Sequence, residues 1–166
     1  MRFVRSLLDT TETALAALCI LAFAGMFVLG VATVFFRFVV QASLAFPDEM
    51  IRYLFVWAIF LGSAIAFRRN VHAAIGVIVA HMPAVLKRLA LLFATAASAF
   101  FFAVIFLASI TITMRARPQI SPALEISMAW VYAAVPVGMA FLFVYAVELF
   151  ITQWRAPADA LLADDH

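Results

Sequence analysis

Residues 46–72 read FPDEMIRYLFVWAIFLGSAIAFRRNVH, and this stretch decides the fold. Pro47 suits the first position of a helix, where its missing N–H costs nothing. Asp48 and Glu49 follow in the first turn, where the positive end of the helix dipole favours acids. Arg52 lies four residues after Asp48 and three after Glu49, so pairing on one helix face is expected. Then come fifteen residues without a charge, 53–67, closed by Arg68 and Arg69. The stretch is a membrane-crossing helix with one acidic and one basic end.

The rest of the chain has the same character. It has 166 residues, of which 68% are hydrophobic and 12% charged, with a net charge of +2. A soluble domain of this size has no interior able to hide that much apolar surface, so the solvent is lipid. The eleven Lys and Arg residues sit at the ends of apolar runs. That placement speaks of membrane topology and of phospholipid headgroups, with no nucleic-acid partner. Cys19, the single cysteine, lies within the first apolar run and is a small apolar filler there.

Four runs are long enough to cross a bilayer: 13–36, 46–67, 89–114 and 126–147. At ~1.5 Å per residue each reaches or exceeds the ~30 Å hydrocarbon layer. Arg2 and Arg5 before the first run, with Ala22 and Ala24 within it, resemble a cleavable signal. The apolar stretch continues twelve residues past Ala24, however, and reads as an uncleaved helix. Residues 71–82 form a shorter apolar stretch ended by Pro83. Its His72 and Gly76 fall roughly on one face with Lys87, and Ile75, Ile78, Val79 and Met82 on another, as in a helix lying in the interface. The expected fold is therefore an all-α membrane protein, one domain over 1–155. It has four transmembrane helices plus one short interfacial helix between spans two and three. Residues 156–166 form a loose polar tail.

Topology follows from the cations. With four spans, Arg2, Arg5, Arg68, Arg69, Lys87, Arg88 and Arg155 share one side, and Arg37, Arg52, Arg115 and Arg117 the other. Seven against four predicts both termini in the cytoplasm. Arg68, Arg69, His72, Lys87 and Arg88 then stand as candidates for topological anchoring or lipid headgroup contact.

No catalytic constellation stands out. The hydroxyls within the runs (Thr33, Ser63, Thr95, Ser98, Ser109, Thr111, Thr113, Ser127) are expected to bond their own helix backbones. No His pair at ligand spacing lies within a span, so no metal, haem or other cofactor is expected, nor an enzyme activity. Asp9, Glu12, Asp48, Glu49, Glu125 and Glu148 all lie near span ends, whereas a carrier keeps ionisable groups or broken helices near mid-membrane. Pro136 and Gly138 are candidates for a kink in span four. Glu148 lies ~10 Å inside the Trp154–Arg155 anchor by helical rise, and a carboxylate there needs a partner. Arg5, Lys87, Arg88 or another subunit are the expected sources. At the other end, Asp48, Glu49 and Arg52 offer more charge than a helix start uses, which leaves them as a candidate contact with a partner protein.

The acidic pair followed by RYLFVWAIFLGSAIAFRRNVH, the short apolar stretch and Pro83 resemble the small (DctQ-type) membrane subunit of tripartite ATP-independent periplasmic (TRAP) transporters. SPALEISMAWVYAAVPVG at 121–138 resembles the entry to the last span of the same family. The likeness covers roughly 10–155 and departs from the family at Phe46, where Trp is common, and at Gly76. It implies a heterocomplex in a bacterial inner membrane. A periplasmic solute-binding protein would deliver an organic anion. A large membrane subunit would carry it with sodium by an elevator motion, and the small subunit would be a static scaffold. Two alternatives from other classes are the membrane anchor of a respiratory enzyme and a small homodimeric four-span exporter.

Overall fold

A computed structural model describes the backbone at residues 2–42, 45–79 and 84–155, and side chains at 6–42, 45–69 and 85–155. Its elements are α1 (Arg2–Phe35), a π-helical turn Phe36–Val40, α2 (Phe46–Val79), α3 (Ala84–Arg115), α4 (Ala129–Tyr132) and α5 (Ala134–Arg155). Four segments are long and apolar enough to cross a membrane: Ser6–Val40, Phe46–Arg69, Val85–Arg115 and Ala129–Arg155. These are the four expected spans, each extended at one end or both.

The second helix runs further than its apolar core. Nothing between Phe67 and Val79 breaks a helix, so residues 71–79 prolong α2 and are not set off from it by a turn. The helical reading of that stretch holds over these residues. Residues 80–83 and the tail 156–166 lie outside the described residues, as does the His72 side chain. Span four is interrupted instead. Pro136 has no N–H for the Tyr132 carbonyl and its ring crowds that turn, and the chain passes from α4 to α5 at Ala133. The interruption is local: Ala133 keeps a right-handed helical conformation, and its N–H still bonds the Ala129 carbonyl at 2.9 Å.

The helices form an open row. α1 packs on α2, α2 on α5, and α5 on α3; the α1 and α3 backbones do not meet among the described residues, and α2 touches α3 only slightly. Phe67 meets Phe102 of α3 edge to face at 5.2 Å. Small residues let the inner helices approach: Ala58, Ala64, Ala134 and Ala146 are buried, as expected where lipid supplies no hydrophobic drive between helices. The core at the α1–α2–α5 junction is Leu15, Leu61, Ala64, Leu142 and Tyr145. A row leaves most of each helix uncovered. Only 11% of the most apolar window of the third span is buried, and 28% of the fourth. Lipid or another protein must cover the rest.

Gly138 marks the tightest approach. A Cβ there would stand 2.7 Å from Phe60 Cβ and 3.1 Å from the Phe60 carbonyl oxygen. Gly138→Ala is expected to force α2 and α5 apart, costing about 1–3 kcal/mol by overpacking against a propensity gain of ~1 kcal/mol. Gly62→Ala, where a Cβ meets nothing within 4 Å, is expected to be neutral or mildly stabilising. Thermal unfolding of both variants in detergent checks the contrast.

Candidate functional site: two polar clusters on the second span

The first cluster lies at the end of the molecule where α1 begins and α5 ends. Arg68 on α2 faces α1 and α5 together. Its Nε donates to Glu148 Oε2 at 3.2 Å, and Nη2 donates to Glu148 Oε1 at 3.4 Å and to Asp9 Oδ1 at 2.7 Å. Nη1 donates to Glu12 Oε2 at 2.6 Å and to the Leu8 carbonyl at 3.1 Å. A guanidinium has five N–H donors, and all five are used. Arg69 adds a second bond to Glu12, Nε to Oε1 at 2.6 Å. The Arg68 guanidinium also lies over the Tyr145 ring, 5.2 Å from its centroid, in cation–π range. Tyr145 is buried, and its hydroxyl stands 3.4 Å from Thr11 Oγ1.

Chain chemistry explains the arrangement. Asp9 and Glu12 are three apart, so one face of α1 presents both. Glu148 follows Tyr145 by three on α5 and comes up beside it. Arg68 is the first residue past the uncharged core of α2, where a cation can reach three acids without crossing lipid. The Arg68 side chain is 13% exposed, Glu12 17% and Glu148 25%, whereas Asp9 is 62% and Arg69 64% exposed. Arg68, Glu12 and Glu148 therefore form the inner part of the cluster.

Glu148 does have a partner, but it is Arg68. Lys87 and Arg88 were expected candidates and do not supply it, because α3 packs on the other flank of α5. Arg88 instead donates from Nη2 to the Trp154 carbonyl at 2.9 Å, closing the last turn of α5. The Arg5 side chain lies outside those described. Arg68, read from sequence as a topological stop or lipid contact, makes all its bonds within the protein.

The second cluster lies at the opposite end. Glu49 turns away from solvent toward the segment joining α3 to α4. Its Oε2 accepts the Ala123 and Leu124 N–H groups at 3.0 and 3.2 Å, and its Oε1 accepts the Tyr53 hydroxyl at 2.5 Å. The same hydroxyl stands 3.2 Å from Met128 Sδ. The joining segment is folded. Ser121 N bonds Ile126 O at 2.9 Å and Met128 N bonds Gln119 O at 2.8 Å, and Ser127 Oγ donates to Arg117 O at 2.8 Å. Glu125 takes a left-handed conformation, φ 53°, to complete the turn. Further along, Trp57 Nε1 donates to the Trp130 carbonyl at 3.2 Å, tying α2 to α4. Asp48 and Arg52 remain exposed. No ion pair joins Arg52 to Asp48 or Glu49, because the Glu49 carboxylate is committed to the loop.

Between the clusters the polar groups are few. Thr33, Ser63, Thr95, Ser109 and Thr113 donate to carbonyls of their own helices, three or four residues back, as expected. Thr95 also lies 2.9 Å from Gln153 Oε1, linking α3 to α5.

Two outcomes are expected from this geometry. Arg68→Gln leaves Asp9 and Glu148 without their cation and Glu12 with Arg69 alone, and should cost about 3 kcal/mol. Arg68→Lys should recover only part of that, since an ammonium cannot reproduce the fork, and Arg69→Gln and Asp9→Asn should each cost under about 1 kcal/mol because they are exposed. Thermal unfolding in detergent ranks them. Glu49→Gln keeps one acceptor oxygen but loses the other, so amide exchange at Ala123 and Leu124 should rise while exchange in the α2 interior stays unchanged.

Comparison with known proteins accords with this architecture. The description "Tripartite ATP-independent periplasmic transporters, DctQ component" matches residues 26–156. A TRAP transporter small permease protein of Haemophilus influenzae is 36% identical over 80 residues, 48% of this chain and 50% of that protein. The match thus spans about half the length of the curated relative. The family match takes in spans two to four whole, and with them both partners of the Arg68–Glu148 and Glu49–Leu124 contacts. This multi-pass membrane chain belongs to the DctQ component family of tripartite ATP-independent periplasmic transporters.

Proposed function

We propose that the chain is the small scaffold subunit of a TRAP transporter in a bacterial inner membrane. With a large membrane subunit and a periplasmic solute-binding protein it imports an organic anion, driven by a sodium gradient. Family membership carries this reading. The distribution of charge supports it: the described acids and bases collect at the two ends of the row. A carrier would need ionisable groups or broken backbone at mid-membrane. The small subunit acts by shape, widening the platform on which the moving subunit works. It carries no catalytic step and needs no cofactor. The family match favours this reading over the respiratory-anchor and exporter alternatives.

Both termini lie in the cytoplasm in this reading, on the side of the seven cations. The Arg68 cluster then stands at the cytoplasmic edge and the Glu49 cluster at the periplasmic edge. Asp48 and Arg52 are exposed at the rim where the binding protein arrives, as are Arg37, Arg115, Arg117 and Glu125. Rim charges mostly set encounter rate and salt sensitivity.

The test is reconstitution. The chain alone in liposomes should give no sodium-driven uptake of organic anions, and uptake should appear only with the large subunit and the binding protein added. Clear uptake by the chain alone would overturn the scaffold role. In the assembled transporter, Asp48→Asn with Arg52→Gln should slow uptake most at low salt while leaving subunit stoichiometry intact. Equal uptake at every salt concentration would remove these residues from docking. Cysteines at Ser6 and Gln41 report the topology: an impermeant reagent applied from the periplasm should label only the second.

A further inference from the structure

The two polar clusters also measure the membrane. Glu49 and Arg68 are 19 residues apart on α2, about 28 Å by helical rise, close to the ~30 Å hydrocarbon thickness. The clusters therefore mark the two edges of the apolar layer. α1 runs antiparallel beside α2, and its contacts give the register: Glu12 with Arg68, Cys19 Sγ 3.8 Å from the Ala58 carbonyl, Gly25 against Leu54. Five residues beyond Gly25, Gly30 stands level with Glu49. Three further on, Thr33 stands level with Phe46, where α2 begins. α1 does not stop there. It continues through the π-helical turn Phe36–Val40 to Gln41, whose φ of 58° ends the helix.

Burial follows the same line. Partly buried positions recur at helical spacing up to Ala32 and Thr33, and then every residue over 34–42 is exposed. This overhang is apolar: Val34, Phe35, Phe38 and Val39 are all more than half exposed. Its one charge is Arg37, which makes no ion pair among the described residues. An apolar helix end beyond the hydrocarbon edge, with no protein around it, needs an occupant, and the dimensions name one. The headgroup layer is about 5–7 Å deep per leaflet. The Arg37 backbone stands seven residues past the Gly30 level, ~10 Å, and helical side chains lean back toward the N-terminus, here toward the membrane. The guanidinium is returned to the depth of the lipid phosphates, and the exposed Val34, three residues back on the same face, to the boundary beneath.

We propose that residues 34–40 form an interfacial anchor whose occupant is an anionic phospholipid of the leaflet opposite the termini. Its phosphate would be held by Arg37 and its upper acyl chains would lie against Val34, three residues back on the same face.

The probe is phosphatidylglycerol. The full chain, with any subunits that co-purify, is reconstituted in phosphatidylcholine nanodiscs with and without it, and retained lipid is measured by native mass spectrometry. Arg37→Gln should retain phosphatidylglycerol about fivefold less well, the loss expected for one surface cation. Arg37→Lys should retain most of it, and Arg117→Gln should match the unaltered chain. Equal retention by Arg37→Gln and the unaltered chain would overturn the proposal. A spin label on Val39→Cys, in a Cys19→Ala background, gives a second reading independent of the Arg37 variants. Collision with both oxygen and a water-soluble nickel chelate places the site among headgroups. Shielding from both would put a protein partner there and overturn the lipid assignment.

Discussion

The Arg68 guanidinium is the point on which the rest of the structure depends. An open row of helices in lipid has little to hold its outer members. Apolar contact between helices has no hydrophobic drive over contact with acyl chains and rests on close packing alone, so a polar tie to α1 adds what lipid cannot offer. Arg68 supplies it, with four N–H groups on three carboxylates and a fifth on the Leu8 carbonyl. Both α1 and α5 are thereby fixed to α2 at one height. The planar fork matters here: bidentate pairing with Glu148 leaves one edge free for Asp9, Glu12 and Leu8, which a point charge would not divide so cleanly. The three acids would repel one another without it, so the same contact that joins the helices also permits the acids to be neighbours.

The second span is accordingly the spine of the molecule. It touches α1 on one side and α5 on the other, and holds the α3–α4 segment through Glu49. The Glu49 carboxylate does for that segment what a bound anion does in a backbone nest: it gathers two successive N–H groups that the turn leaves without helical partners. Because both clusters are fixed to one rigid helix, their separation is set by helical rise alone. A matched spacing of this kind keeps each charged group near water while the wall between them stays apolar.

Much of this was legible in the sequence. The four spans follow from uncharged run length, and the break in span four from Pro136. That Glu148 needs a partner followed from its depth inside Trp154 and Arg155. Which residue pairs with it did not, because that depends on α5 lying beside α2 and not beside α1 or α3 alone. Hydropathy records how deep a residue lies and is silent about which helix is its neighbour. Glu49 was hidden for a related reason. At a helix start an acid is already explained by the dipole, and its bonds to Ala123 and Leu124, more than seventy residues away, leave no local pattern. The overhang of α1 was concealed by an apolar run that continues without a mark past the point where its neighbour ends.

The open row bears on what the molecule is for. A closed four-helix bundle presents one continuous outer surface and spends its polar groups on a core. Here each helix meets only its neighbours in the row, and both broad faces remain apolar and uncovered. Among the described residues the hydroxyls of Thr33, Ser63, Thr95, Ser109 and Thr113, between the two end clusters, bond their own helix backbones, and Thr95 also reaches Gln153 across the α3–α5 contact. Between the levels of Glu49 and Arg68, about 28 Å apart by helical rise, the described residues offer no string of groups that could replace the hydration of an anion. A solute crossing at this slab would meet acyl chains and phenylalanine. In the proposed assembly its path lies in the larger subunit, and the rigidity given by Arg68 and Glu49 is itself the contribution: a fixed edge of constant height against which another body can move.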